Sequence, residues 1–152
     1  MAPMRSSCGR LVLSLLCLVF LVSFSQRSGA DAQQPTPIHQ LRIYEIFDHN
    51  KQAFHDRFRQ HAVRIMAKYD FRIVAMWEAK TADRTEFVYL LEWSDRPTMQ
   101  DRWARFMADQ EWSEIKRQSA KDHGRLVSHI EERFLQTTDY SPRTTLLNSA
   151  GR

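Results

Sequence analysis

The order of the hydrophobic patterns constrains the fold of this chain more than any other feature. Four segments, 38–47, 71–79, 85–93 and 125–135, alternate with a period of two or are rich in β-formers, which predicts strands. Apolar residues recur every three or four positions over 51–69 and again after Pro97, which predicts helices, with a short further helix over 109–119. The resulting order βαββαβ predicts an α+β, ferredoxin-like fold: a four-stranded antiparallel sheet with its helices on one face.

Both faces of the predicted strands carry large apolar side chains. Leu41 and Ile43 alternate with Tyr44 and Ile46, for example. An antiparallel sheet with one face in water shows polar residues on that face. We therefore expect a homodimer in which two sheets close into a barrel. The alternative is that the C-terminal tail or the N-terminal linker covers the second face.

The first 32 residues have the pattern of a secretory signal peptide. A basic start with Arg5 and Arg10 precedes an apolar run over 11–24, and an Ala-Asp-Ala sequence predicts cleavage between Ala32 and Gln33. The run is shorter than the ~20 residues of a transmembrane helix. We expect export to the periplasm or the extracellular space with no stable membrane anchor after cleavage; an uncleaved anchor is the alternative.

Cleavage would change the composition of the chain. It removes both cysteines, Cys8 and Cys17, which excludes disulfides and thiolate metal sites from the rest of the chain. Losing three arginines and one aspartate lowers the formal net charge from +4 to +2, which gives no reason to expect nucleic-acid binding. The predicted organisation is a signal peptide over 1–32, a linker over 33–37, one domain over 38–136 and a tail over 137–152.

Four segments carry a family resemblance: LRIY at 41–44, FRIVAMW at 71–77, DQEW at 109–112 and TTDYSP at 137–142. In this order and spacing they resemble the NIPSNAP family, within the dimeric α/β-barrel superfamily. Ala75 stands where the family usually has glycine, and Gln110 where it usually has proline. The resemblance covers about 38–140 and implies a homodimeric barrel without a settled reaction; we expect an exported, bacterial-type member.

A cleft inside this barrel is the predicted ligand site. An arginine beside aromatic rings binds a carboxylate or phenolate through charged hydrogen bonds and stacking. The candidate ligand-binding residues are Arg42, Tyr44, Trp77, Tyr89, Trp93, His129 and Glu131. Alternatively, the aromatic residues form a dimer core and Arg42 pairs with Glu131 or Glu92. The pattern does not decide which sheet face points inward.

No catalytic residue, metal site or cofactor is predicted. The six histidines are scattered without HxxxH or HExxH spacing, and GxSxG and glycine-rich phosphate loops are absent from the sequence. Three functions stay open. The first is binding of a small hydrophobic or aromatic ligand in the barrel. The second, implied by the resemblance, is a cofactor-independent oxygenase or haem-degrading enzyme, and the third is a protein-interaction module that uses the basic helix face at 55–64.

Overall fold

The structure, a computed structural model, describes residues 36–147. The predicted signal peptide, its cleavage site and most of the linker lie outside this range, as does the end of the tail from 148. The elements are β1 (Ile38–Ile46), a 3-10 turn (Asp48–Asn50), α1 (Lys51–Arg57), a π-helical segment (Phe58–Ala62), α2 (Val63–Lys68), β2 (Arg72–Lys80), β3 (Thr85–Trp93), α3 (Arg96–Ala108), α4 (Gln110–His123) and β4 (Val127–Leu135).

The four strands form one antiparallel sheet in the order β2-β3-β1-β4. This is the order that two split βαβ units produce, and it confirms the predicted α+β, ferredoxin-like fold. The pairing shifts register between Ile73 and Ala75 in β2 and between Glu45 and Ile46 in β1. β1 and β3 are the central strands, so their side chains form the middle of both sheet faces.

Two aspartates set the starts of α3 and α4. The Asp95 carboxylate accepts from the backbone N–H of Thr98 at 2.7 Å, and Pro97 lies in the first turn, where its missing N–H costs nothing. The Asp109 carboxylate accepts from the N–H of Trp112 at 2.8 Å. α4 runs on to His123, four residues beyond the predicted end, and Gly124 follows it at φ 73°.

Asp48 and Asn50 precede α1, where aspartate and asparagine commonly cap a helix, but their side chains have other partners. Asp48 accepts from the Thr85 hydroxyl at 2.6 Å and from Lys80 Nζ at 3.3 Å. Asn50 Nδ2 donates to the carbonyls of His123 and Arg125 at 2.9 and 3.0 Å. Asn50 therefore ties the start of the first helix to the end of α4, a tertiary contact that local capping rules do not anticipate.

The core lies between the helices and one face of the sheet. Alternate residues of β3, namely Phe87, Tyr89, Leu91 and Trp93, are buried there. They pack against aromatic residues of the helices; the Phe54 ring lies 5.1 Å from that of Phe87, and the Phe58 ring 4.6 Å from it. We call this side the helix face and the opposite side the open face. Within 36–147, no helix is both long enough and apolar enough to span a membrane.

Candidate functional site

The sheet register divides the seven predicted ligand-binding residues between the two faces. Arg42, Tyr44, Tyr89 and Trp93 point to the helix face, in line with the buried residues of β1 and β3. Trp77, His129 and Glu131 lie on the open face, because each pairs with a β1 or β3 residue that points away from the helices. The seven residues therefore do not line one cleft within a single chain.

Gln40 is the hub of a polar network on the helix face. Its Oε1 accepts from the indole N–H groups of Trp93 and Trp103, both at 2.9 Å. Its Nε2 donates to Glu132 Oε2 at 2.5 Å. One side chain thus connects the buried Trp93 of β3, the Trp103 of α3 and a carboxylate of the edge strand β4.

Arg42 extends this network along β1. Its Nη1 donates to Glu132 Oε2 at 2.6 Å, and its Nη2 donates to the Tyr44 hydroxyl at 3.4 Å. The guanidinium also lies 4.7 Å from the centre of the Trp103 ring, within the range of a cation–π contact. The carboxylate partner is Glu132 rather than Glu131 or Glu92, because Arg42 and Glu132 are directly paired in the sheet and point to the same face.

Two tyrosine hydroxyls end the network. The hydroxyls of Tyr44 and Tyr89 lie 2.9 Å apart, and their rings meet edge to face at 5.5 Å. Burial raises the pKa of Tyr89 well above its usual value. For Arg42, burial favours the neutral form, but the nearby Tyr44 and Tyr89 and the Glu132 carboxylate outweigh it and raise its pKa. Tyr89 thus stays a neutral phenol and Arg42 a cation.

This network serves packing more than it serves chemistry. Tyr89 is 0% exposed and Trp93 is 2% exposed. The network residues bond chiefly to one another, which is the arrangement that makes buried polar groups tolerable. A substrate at this position would have to displace contacts that are already made.

The open face is organised in four rows that run across the strands. In the order β2, β3, β1, β4, they are Ala79-Glu86-Glu45-His129, Trp77-Val88-Ile43-Glu131, Ala75-Leu90-Leu41-Arg133 and Arg72-Glu92-His39-Leu135. The two middle rows form an apolar band over three strands, and polar rows flank it. We call this the apolar band. Trp77, at its β2 end, is 49% exposed.

The charged residues of the band's β4 end are paired with each other. Glu131 Oε1 accepts from Arg133 Nε at 2.5 Å, and this hydrogen bond lowers the pKa of Glu131 below its usual value. His129 lies opposite Glu45 in the outer row. These groups are at the edge of the apolar band, where they would meet either solvent or a partner.

The last row holds a buried carboxylate that the sequence does not single out as a site. Glu92 is 0% exposed and lies 3.3 Å from His39 Nε2 and 3.0 Å from Arg72 Nη2. The C-terminal tail completes its surroundings, since the backbone N–H groups of Leu146 and Leu147 donate to Glu92 Oε2 at 2.6 and 3.3 Å. The tail therefore covers this end of the open face. The available signal was a histidine of β1 and a glutamate of β3 on the same side of the strands as the apolar residues of the band.

No group of three or more histidine, cysteine or acidic side chains within the described part of the chain has the geometry to hold a metal ion. The basic face at 55–64 is largely paired: Arg59 lies 3.2 Å from Asp56, and Arg64 forms an ion pair with Glu111. Of the arginines in 55–64, Arg57 is the one without a carboxylate at ion-pair distance.

The model of one protein family, NIPSNAP, matches residues 39–142. A search of curated proteins returned no match. The matched range contains the strands and helices of the described structure apart from Ile38, the first residue of β1, so the family assignment applies to the whole fold.

Solved structures of NIPSNAP proteins share this fold. An uncharacterized NIPSNAP-like domain protein from Burkholderia xenovorans is 20% identical, with a TM-score of 0.62 and coverage of 76% of this chain and 97% of that one. A NIPSNAP family protein of unknown function from Agrobacterium tumefaciens is 18% identical, with a TM-score of 0.61 and coverage of 74% and 96%.

A weaker likeness extends to SnoaB, a cofactor-independent oxygenase from Streptomyces nogalater, at 14% identity and a TM-score of 0.45, with coverage of 71% and 99%. A likeness at that level gives no information about activity.

Proposed function

The chain belongs to the NIPSNAP family, and from this premise we propose that it works as an exported homodimer whose two open faces enclose a small hydrophobic or aromatic ligand. The single observation that carries the proposal is the apolar band. A band of this kind, rimmed by charged residues, is the usual appearance of a surface that binds a partner.

Dimerisation follows from the composition of the band. Ile43, Val88 and Leu90 are only half-buried, and Trp77 is about half exposed. Full burial stabilises a residue of this size by roughly 1.5–3 kcal/mol relative to full exposure, and these residues would gain part of that. A second copy presents the same band, so that two sheets that face each other would shield both bands from water at once.

The ligand would lie between the two bands. The band offers aliphatic side chains and an indole, which suit an apolar or aromatic molecule, while His129 and Glu131 supply polar groups at its β4 edge. The helix-face group of Arg42, Tyr44, Tyr89 and Trp93 would then hold the sheet and the helices together. The enzyme alternative would need a substrate at that group, and the mutual pairing of its members disfavours it.

Native mass spectrometry of the protein purified from its own host tests both dimerisation and ligand binding. We expect a dimer at micromolar concentration that carries a small molecule released on denaturation. The variant Trp77→Asp places a charge in the band and should give a monomer without the small molecule. A bare monomer of the unmodified protein would refute the proposal.

Met107→Asp is the matched control. Met107 is an exposed apolar residue of α3, 53% accessible, and it is not on the sheet. The same charge placed there should leave the dimer and its ligand unchanged. Equal loss in both variants would mean that the band is not the interface.

The proposal also includes export, and the composition of the first 32 residues supports it. N-terminal sequencing of the protein from its own host should begin at Gln33, in a periplasmic or extracellular fraction. An intact Met1 on protein in the soluble fraction would refute export.

A further inference from the structure

A polar cavity of about 460 Å³ lies away from the apolar band. It is beside the first helical segment, which we define as residues 51–68 (α1, the π-helical segment and α2). Its titratable lining residues are His49, Asp56, Arg57, His61 and His123. They come from three elements: the 3-10 turn, the first helical segment and the end of α4. The size is that of an ordinary small-molecule site.

Arg57 is the unusual group of this cavity. Three arginines of residues 36–147 are half-buried, and two of them have carboxylate partners: Arg42 pairs with Glu132, and Arg102 with Asp70. Within the same range, Arg57 has no carboxylate at ion-pair distance. Its Nη1 donates to the neutral Ser119 hydroxyl at 2.9 Å, and its guanidinium lies 5.7 Å from the centre of the Trp112 ring.

The charge of Arg57 is therefore desolvated without a counter-ion. Burial lowers the pKa of its guanidinium, although an arginine keeps its proton at any physiological pH. A buried charge is normally paired or binds a ligand, because removal from water without a partner is costly. Lys116 Nζ also lies 5.7 Å from the centre of the Trp112 ring.

The backbone beside the cavity is also irregular. The helix changes to π geometry over Phe58–Ala62, directly after Arg57, and Gln60 and His61 of this segment line the cavity. π-helical turns are rare and are frequently found at functional sites. The Asn50 amide fixes the opposite wall, since it holds the carbonyls of His123 and Arg125.

We propose that this cavity binds a small polar oxyanion, a phosphate ester or a hydroxycarboxylate, on the Arg57 guanidinium. The free N–H groups of a guanidinium match the paired oxygens of either anion. Gln52, Gln60 and the histidines supply donors for further oxygens. The site is on the helix side of the sheet and does not depend on dimerisation or on a ligand in the apolar band.

The other charged groups around the cavity already have polar partners or are basic. Asp56 is the one carboxylate in the lining, and it already accepts from Gln52 Nε2 at 2.9 Å and from Arg59 Nη1 at 3.2 Å. On α4, Lys116 and His123 are basic, and the nearby Asp122 accepts from Gln118.

Isothermal titration calorimetry with inorganic phosphate and with citrate tests the proposal, on protein purified after expression of the complete chain. We expect one site per chain. Arg57→Gln can keep the contact with Ser119 but removes the charge, and it should weaken binding roughly 10- to 100-fold. Arg57→Lys keeps a charge but loses the paired N–H groups, so its affinity should lie between those of Arg57→Gln and the unmodified protein.

Arg64→Gln is the control, because Arg64 of α2 is 50% exposed and pairs with Glu111, and neither residue lines the cavity. It should bind as the unmodified protein does. Binding of phosphate alone identifies a phosphoryl ligand, and binding of citrate alone a carboxylate. The proposal would be overturned if neither probe binds at about 10 mM, tenfold above the ~1 mM dissociation constant expected of a weak site, or if the Arg57 and Arg64 variants lose affinity equally. If Arg57→Gln unfolds, Gln60→Glu replaces it: a negative charge at this exposed lining position should weaken binding of the probe, and unchanged affinity would overturn the proposal.

Discussion

The two faces of the sheet are built from the same strands but bury their side chains very differently. On the helix face, Phe87, Tyr89 and Leu91 of β3 are buried against aromatic residues of the helices. On the open face, Val88 and Leu90 of the same strand are half-buried and Trp77 of β2 is largely exposed. Adjacent residues of one strand therefore have different roles: one stabilises the single chain, and the next is available to a partner.

The polar groups of the two faces differ in the same way. The helix face joins Gln40, Arg42 and Glu132 in a network that spans β1, β4 and α3. On the open face, Glu131 bonds to Arg133, two residues along the same strand. The exception is Glu92, which is buried by His39, Arg72 and the tail. Polar contacts between different elements thus lie on the helix face and at one end of the open face.

Truncation of one aromatic residue on each face gives the largest expected contrast. Phe54 is 1% exposed and packs on Tyr44, Phe58 and Phe87. Phe54→Ala should lower the free energy of unfolding by about 3–5 kcal/mol. Trp77→Ala should cost less than about 1 kcal/mol in dilute protein, where little dimer is present. Urea denaturation at two protein concentrations measures both values; equal costs in dilute protein would show that the open face is packed within one chain.

Removing the Glu92 charge should have the next largest effect. In Glu92→Gln, the amide replaces a carboxylate that His39, Arg72 and two tail N–H groups surround. We expect the free energy of unfolding to fall by about 2 kcal/mol, because hydrogen bonds to a buried charge are lost. Amide hydrogen exchange at Leu146 and Leu147 should accelerate as the tail detaches. Full protection of these amides in the variant would contradict the role of Glu92 in holding the tail.

Neighbouring glutamates of β4 offer a smaller and closely matched test. Glu132→Ala removes the acceptor of Arg42 and Gln40 and should cost about 1–2 kcal/mol, a value reduced by the partial exposure of Glu132. Glu131→Ala, one residue away on the open face, should leave the free energy of unfolding unchanged. Thermal and urea unfolding of both variants would decide the matter, and a larger effect at Glu131 would mean that the assigned faces are reversed.

The smallest expected effect is on the pH dependence of stability, through the ion pairs of Glu111 with Arg64 and Lys68. Hydrogen bonds from Arg64 and Lys68 of the first helical segment lower the pKa of Glu111 from 4.5 to about 2. A depressed carboxyl pKa stabilises the folded chain above pH 4.5, and this contribution is lost as the pH falls toward 2.

The unfolding temperature of Glu111→Gln should therefore fall less steeply between pH 5 and pH 2 than that of the unmodified protein. Glu131→Gln should give little change in slope, since Glu131 and Arg133 are near neighbours in the unfolded chain as well. Parallel slopes for Glu111→Gln and the unmodified protein would contradict the contribution of the Glu111 ion pairs.

Much of the fold could be predicted from local patterns. The alternation from Thr85 to Trp93 matches the bounds of β3, and Asp95 and Pro97 mark the start of α3 as capping rules expect. Local capping rules do not hold where a side chain makes a tertiary contact instead. The Asn50 amide, for example, bonds to carbonyls at the end of α4 and does not cap its own helix.

The candidate site was less predictable, because a period-two pattern with apolar residues on both faces does not say which face the helices cover. A step of one residue reverses the face, which is why Arg42 meets Glu132 rather than Glu131.

By itself, the sequence determined the order of the elements, their approximate ends and the presence of apolar residues on both faces, since these depend on neighbours a few residues apart. The tertiary structure alone decided which side chains share a face, that the tail reaches Glu92 from 54 residues away in sequence, and that Arg57 lines a cavity without a carboxylate beside it. Those contacts depend on how distant segments pack, and no local pattern encodes them.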